Sequence, residues 1–192
     1  MNLIFATNNK NKALEINSLL PQSFTIVTLQ EAGIDIDIPE PHETLEENAV
    51  EKARVIYRIT KQNCFSEDTG LNVAVLNGAP GVRSARYAGE EKDFNENISK
   101  LLSELKHKEN SSAQFRTIIC LIIGGIEHLF EGICKGNITD SPRGTGGFGY
   151  DSVFIPENEK KTFAEMTLSE KNIYSHRRKA VESMVAFLNN YA

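Results

Sequence analysis

Apolar and polar positions along this chain follow two periods, and the switches between them lay out the elements. Leu3-Ile4-Phe5-Ala6 is a short buried-strand pattern that runs into Thr7-Asn8-Asn9-Lys10-Asn11-Lys12. Ala13 to Leu20 then fits a helix stopped at Pro21. Phe24 to Leu29 is β-rich and predicts a second strand. Ile34 to Ile38 alternates apolar and acidic residues until Pro39-Glu40-Pro41 breaks the pattern. Thr44 and Glu47 form a capping box for a helix reaching about Lys61, with Leu45, Ala49, Ala53 and Ile56 on one face. Cys64-Phe65-Ser66 predicts a short buried strand, stopped by Glu67-Asp68-Thr69-Gly70. Asn77-Gly78-Ala79-Pro80-Gly81 is turn chemistry.

Further on, Phe94, Ile98, Leu101, Leu102 and Leu105 sit at helical spacing and predict an amphipathic helix over about 93–106. Two β-rich runs, Ala113 to Ile123 and Ile126 to Ile133, are joined by Gly124-Gly125, a hairpin signal. A hairpin demands an antiparallel pair, so the sheet is not purely parallel. A glycine-dense stretch, Gly144 to Asp151, precedes a predicted strand at Asp151 to Ile155. A final helix spans about Ser175 to Asn190, with Val181, Met184, Val185 and Leu188 facing the core. The fold class is α/β, with helices around a mixed sheet.

Composition narrows the picture. With 192 residues, 40% hydrophobic, there is enough apolar material for one globular domain of residues 1–192, with room for two lobes. No run approaches the roughly 18 apolar residues of a membrane span. The first residues lack a basic start and a long apolar stretch, so no signal peptide is expected. Cys64, Cys120 and Cys134 have no paired spacing and lie in apolar stretches, which points to reduced core thiols and a cytoplasmic protein. The net charge of −5 argues against nucleic acid as a partner but leaves room for a small anion. The histidines show no zinc spacing, and neither a P-loop nor a nucleophile elbow is present.

Four pieces carry candidate chemistry. The strand, polar turn and helix around Thr7 to Lys12 offer a helix N-terminus and side-chain donors to an anion. Glu67 and Asp68 are hard oxygen ligands suited to Mg²⁺, and Glu40 or Glu47 could complete the set. Gly144-Thr145-Gly146-Gly147-Phe148-Gly149-Tyr150-Asp151 joins permissive backbone to flat aromatic faces and an acceptor, which suits a nucleobase. Its spelling matches the dinucleotide fingerprint, but that motif must open a helix and here a strand is predicted. Lys171, His176, Arg177, Arg178 and Lys179 form the densest basic cluster, early in a helix where the dipole disfavours them unless an anion is near. Taken singly, the plain readings are a solvated turn, water-facing acids, a flexible glycine loop and a solvated basic face. Together the pieces describe a Mg²⁺-dependent enzyme acting on a nucleotide.

The chain resembles the ITPase/Ham1 family, the non-canonical purine nucleoside triphosphate pyrophosphatases. The matching motifs are Thr7-x-Asn9-x-x-Lys12, Glu47-Asn48-Ala49-x-x-Lys52-Ala53, Glu67-Asp68-Thr69-Gly70-Leu71, Gly78-Ala79-Pro80-Gly81-x-x-Ser84-Ala85-Arg86-Tyr87, Thr145 to Asp151 and Ser175-His176-Arg177. They follow family order over nearly the whole chain. Ser152 stands where many members carry Pro, and Glu67 where many carry Asp.

The resemblance implies hydrolysis of ITP, dITP and XTP to the monophosphate and pyrophosphate. It also implies an elongated, two-lobed α/β fold with a cleft, and a cytosolic homodimer. By motif matching, Thr7, Asn8, Asn9, Lys10, Asn11 and Lys12 hold the phosphates, and Asp68 is the catalytic carboxylate at Mg²⁺, with Glu40 as a second metal ligand. Thr69, Phe148, Gly149, Tyr150, Asp151, Lys171, His176 and Arg177 bind the substrate. Physically, a 6-oxopurine offers O6 as acceptor and N1–H as donor, so Asp151 or nearby carbonyls would take N1–H while His176 or Arg177 donates to O6. Two competing readings are a Maf-like pyrophosphatase for modified pyrimidine nucleotides and a nucleotide sensor without catalysis.

Overall fold

The computed structural model describes residues 1–191. The chain forms β1 (Asn2–Phe5), α1 (Lys10–Asn17), β2 (Thr25–Thr28), α2 (Leu45–Thr60), β3 (Cys64–Val73), β4 (Pro80–Gly81), α3 (Phe94–Leu105), β5 (Ser112–Ile123), β6 (Ile126–Ile138), β7 (Phe154–Pro156), α4 (Leu168–Tyr174) and α5 (His176–Asn190). The strands pair in the order β2-β1-β3-β5-β6-β7, with β4 on β3. β1 runs parallel to β2 and β3, whereas β3–β4 and β6–β7 are antiparallel. The sheet is therefore mixed, and the fold class is α/β.

The chain divides into two compact units. The first comprises Met1–Asp68, Thr117–Gly132 and the segment from Arg177. Its core gathers Leu3, Phe5, Ile16, Phe65, Ile119, Leu121, Val181, Met184 and Leu188, all buried. Phe5 and Phe65, on neighbouring parallel strands, stack with centroids 4.4 Å apart. Burial pushes the Cys64 and Cys120 thiols of this unit up to about 12, so both behave as small core hydrophobes. The second unit comprises Thr69–Arg116 and Ile133–His176. Leu71, Val73, Leu101, Phe115, Tyr150, Val153, Phe154 and Phe163 fill its core, and α3 supplies Ile98, Leu101, Leu102 and Leu105 of the stripe predicted from its spacing, but not Phe94.

Local chemistry explains most element ends. Thr44 accepts the Glu47 N–H at 3.2 Å and caps α2, and Lys61, in the left-handed region, ends it. Gly124 and Gly125 both have positive φ, the requirement of the two-residue turn that joins β5 to β6. Several boundaries differ from expectation: α1 ends at Asn17 rather than Leu20, and β6 runs to Ile138 rather than Ile133. α1 starts at Lys10 because Asn9 caps it by accepting the Lys12 N–H at 3.1 Å. β3 does not stop at Ser66 but continues through Glu67 and Asp68 to Val73. Tyr150 and Asp151 lie in a tight helical turn, Gly149–Ser152, and the following strand begins only at Phe154. A short helix, α4, also precedes α5. Among the described residues, no helix is long and apolar enough to cross a membrane.

Candidate active site

In the first unit, the functional side chains gather around two buried cations. β1 ends at Phe5, and Thr7 accepts the Asn9 N–H at 3.1 Å, which folds the chain into the start of α1. The Thr7–Lys12 stretch is thus a strand–turn–helix start, with the positive end of α1 and the side chain of Lys12 at its close. Asn8 and Asn9 already have structural duties. The Asn8 amide donates to the Ile36 carbonyl at 2.9 Å, and Asn9 is the helix cap.

Lys52, on α2, is 6% exposed. Its ammonium donates to Glu40 Oε1 at 2.6 Å, to Asp68 Oδ1 at 2.9 Å and to the Glu67 carbonyl at 2.8 Å. One point charge therefore draws both proposed metal-side carboxylates together. Burial alone would lower the Lys52 ammonium, but Asp68 and Glu40 outweigh it and leave its pKa raised. Burial also pushes the Asp68 carboxyl above the usual carboxylate range, and the opposing pull of Lys52 and Lys12 does not cancel that push.

The second cation is Arg177, at the start of α5 and 1% exposed. Its guanidinium grips Glu67 with two bonds, Nε to Oε2 at 2.8 Å and Nη2 to Oε1 at 2.7 Å, and its Nη1 donates to Glu15. Lys12 Nζ lies 3.5 Å from the same Glu67. Glu67 is thus engaged by Arg177 and Lys12, while Asp68 turns to Lys52. Adjacent carboxylates on one strand alternate sides and take different cations. The charge pairing also explains why β3 runs through them: each acid is satisfied by a partner, so neither needs to face water.

Asp68 and Glu40 are hard oxygen donors already converged on one cation, and they fit Mg²⁺. Among the described residues, no group of three or more His, Cys, Asp or Glu could hold a metal ion. Two carboxylates would leave the rest of a Mg²⁺ shell to water and substrate phosphates, the usual arrangement for that ion.

In the second unit, the glycine loop is shaped by backbone rather than charge. Gly144, Gly147 and Gly149 all have positive φ. A Cβ at Gly144 would collide with the backbone of Ala164, and one at Gly147 with the Asp151 carboxylate. Asp151 is 3% exposed, and its Oδ2 accepts both the Phe148 N–H at 3.0 Å and the Lys171 ammonium at 2.5 Å. Lys171 Nζ lies 5.4 Å from the Phe148 ring centroid and 5.2 Å from that of Phe163. α4 presents Lys171 and is held by a capping box of Thr167 and Glu170. His176 is buried and stacks on Phe115, with centroids 4.6 Å apart and planes 15° from parallel. Tyr150 turns inward and its hydroxyl donates to the Ser84 carbonyl at 2.9 Å. Burial raises the Tyr150 phenol, and its role here is an anchor of the loop.

The expected substrate residues therefore sort by geometry. Lys12, Glu40, Glu67, Asp68 and Arg177 gather in one unit, as do Phe148, Asp151, Lys171 and His176 in the other. Sequence reasoning gave Lys52 and Glu15 no role. Lys52 had a legible signal: Asn48 and Lys52 repeat the four-residue step of the apolar face of α2, one position off it, and both are buried. Glu15 had none, since its partner is 162 positions away.

Known proteins give this geometry a context. Residues 3–187 match the profile of the Ham1 family. The dITP/XTP pyrophosphatase of Flavobacterium psychrophilum is 52% identical over 190 residues, which cover 99% of this chain and 100% of that protein. The dITP/XTP pyrophosphatase of Bacillus subtilis is 42% identical over 189 residues, covering 96% of each chain. Among solved structures, the Staphylococcus aureus Ham1 protein superposes with a TM-score of 0.90 at 34% identity, covering 100% of both chains.

Proposed function

This chain belongs to the Ham1 family, and from that premise we propose that it hydrolyses non-canonical purine nucleoside triphosphates, ITP, dITP and XTP, to the monophosphate and pyrophosphate. The observation that carries the proposal is the convergence of Asp68 and Glu40 on Lys52, one strand from the Thr7–Lys12 turn. It is supported by relatives, 52% and 42% identical, that are dITP/XTP pyrophosphatases. Residues 1–192 act as one catalytic domain, with the first unit handling phosphates and the second reading the base.

In this reading, Asp68 and Glu40 hold Mg²⁺, which supplies charge neutralisation for the polyphosphate when bound. Lys12 and the first N–H groups of α1 bind phosphate oxygens. Asp68 orients a water toward the α-phosphorus and takes its proton. The bond between the α-phosphorus and the bridging oxygen breaks, and pyrophosphate leaves with the electron pair. Lys52 positions Asp68 and Glu40, and Arg177 positions Glu67, and through it Lys12.

Thr69, Phe148, Gly149, Tyr150, Asp151, Lys171 and His176 serve the base and sugar. Phe148 stacks on the purine, while Asp151 holds Lys171 and the Phe148 backbone in place. The first N–H groups of α5, at His176 and Arg177, donate to O6. Adenine, which offers a donor at that position, leaves these groups unpaired, and such a mismatch discriminates by about 10⁴ or more in a dry site. The enzyme works in the cytosol as a homodimer.

The test is pyrophosphate release from ITP, dITP, XTP, GTP, ATP and UTP, with and without Mg²⁺. Turnover of the 6-oxopurine triphosphates ITP, dITP and XTP that needs Mg²⁺ supports the reading. Comparable kcat/KM for ATP and ITP overturns the base recognition, and preference for UTP overturns the substrate class.

A further inference from the structure

The apolar stripe of α3 has one member that the core does not absorb. Ile98 and Leu101 are buried at 7% and 0%, but Phe94, in the same stripe and at the first position of the helix, is 41% exposed. Its ring lies against Phe148, with centroids 6.3 Å apart and planes tilted by 47°. Phe148 is itself half-buried, so the two rings form a small apolar corner open to solvent.

Phe94 is also held in place from behind. Asp93 caps α3 by accepting the N–H groups of Asn95 and Glu96 at 2.7 and 3.0 Å. One turn on, the buried Asn97 amide donates to the Ala85 carbonyl at 3.0 Å and accepts the Ala88 N–H at 2.6 Å. Ser84, which starts a tight helical turn at Ser84–Arg86, donates to the Gly81 carbonyl at 2.6 Å, accepts the Leu71 N–H at 2.8 Å, and offers its own carbonyl to Tyr150. The Ser84-Ala85-Arg86-Tyr87 motif thus ties α3 to the turn that follows Phe148. Two rings carried by different elements share one frame.

We infer that Phe94 is a substrate-contacting, specificity-determining residue: its ring, tilted by 47° from Phe148, closes on the edge of a fused purine that overhangs Phe148. This rests on the proposed stacking of the base on Phe148. A purine has two fused rings, and a single phenyl face covers only part of it. A pyrimidine has no second ring to present to Phe94.

The experiment compares Phe94→Ala, Phe94→Trp, Phe148→Ala and the double alanine variant by ITP kinetics, by calorimetric binding of inosine monophosphate, and by thermal melting. Phe94→Ala is expected to raise KM and the monophosphate Kd by about three- to tenfold, with kcat changing less than twofold and the melting point nearly unmoved. Phe94→Trp should restore binding, because it keeps a flat apolar face. The two alanine changes should be less than additive, as expected of rings that share one ligand. If Phe148→Ala weakens binding and Phe94→Ala does not, the inference about Phe94 fails and the stacking reading stands. If Phe148→Ala leaves KM and Kd unchanged, the stacking reading itself fails. A loss of melting temperature in Phe94→Ala with KM unmoved marks Phe94 as structural and overturns the inference.

Discussion

The two units solve the problem of holding polar chemistry in a folded protein by different means. The first relies on charge. Glu15, Glu40, Glu67 and Asp68 are set against Lys12, Lys52 and Arg177, and most of these groups are buried. The second relies on backbone shape, with glycines in the left-handed region, a capped helix, and the buried ion pair between Asp151 and Lys171. A network of buried charges is unforgiving of any single deletion, because the partner left behind is uncompensated. A glycine-shaped loop fails at the residue where a side chain will not fit and tolerates change elsewhere. The contrast matches the proposed tasks, since phosphate chemistry needs fixed charges and base reading needs a close, flat surface.

The comparison can be broken in several ways. The largest effect is expected at Asp68. Asp68→Asn should lower kcat by about 10²- to 10⁴-fold, read by pyrophosphate release, while circular dichroism shows a folded chain. Near-normal turnover would remove Asp68 from catalysis. Next comes stability. Arg177→Met strands Glu67 and Glu15 and should cost about 3–5 kcal/mol in denaturant unfolding. Adding Glu67→Gln should recover part of the loss, which a purely steric defect would not permit.

In the second unit, two glycines sharpen the point. Gly147→Ala meets both a positive φ and the Asp151 carboxylate, whereas at Gly149 a Cβ meets nothing within 4 Å. Gly147→Ala should raise the KM for ITP well beyond Gly149→Ala, whose cost is the backbone strain of about 1–2 kcal/mol alone. Equal effects would mean that backbone strain, not the collision with Asp151, governs the loop.

The smallest effect concerns the cap that presents Lys171. The Lys161 ammonium, then the Thr167 backbone N–H, hold the Glu170 carboxyl down at about 2, below its ordinary 4.5. A carboxyl with a lowered folded pKa stabilises above its unfolded value and loses that contribution as pH falls through the folded one. Glu170→Gln should therefore melt below the parent at pH 7, and the gap should close between about pH 4.5 and 2. A gap that persists at pH 2 would place the role of Glu170 outside its charge.

Much of the fold was legible because its signals are local. Gly124-Gly125 announced the hairpin, Thr44 and Glu47 announced α2, and the spacing from Phe94 to Leu105 announced α3. The misread boundaries share a physical cause. Glu67 and Asp68 look like a strand end until Arg177, 110 positions away, and Lys52, 16 positions away, make them fit to bury. Asp151 reads as the first residue of a strand until Lys171 and the Phe148 N–H are seen to hold it in a turn. The chemical types at the site were visible in the motifs. Which acid meets which base was not, because pairing across the chain leaves no periodic trace.

The grip of Arg177 on Glu15 and Glu67 also bears on how the protein is made. Glu15 and Glu67 leave the ribosome long before Arg177, so the nascent chain carries their charges without the partner that permits burial. The pairing of Glu15 and Glu67 with Arg177 is completed only once α5 is translated. Until then Glu67 has Lys12 but not Arg177, and Leu3, Phe5 and Phe65 lack the α5 side chains they pack with. A translation product cut short before Arg177 would carry Asp68 in sequence but lack the guanidinium that grips its neighbour Glu67.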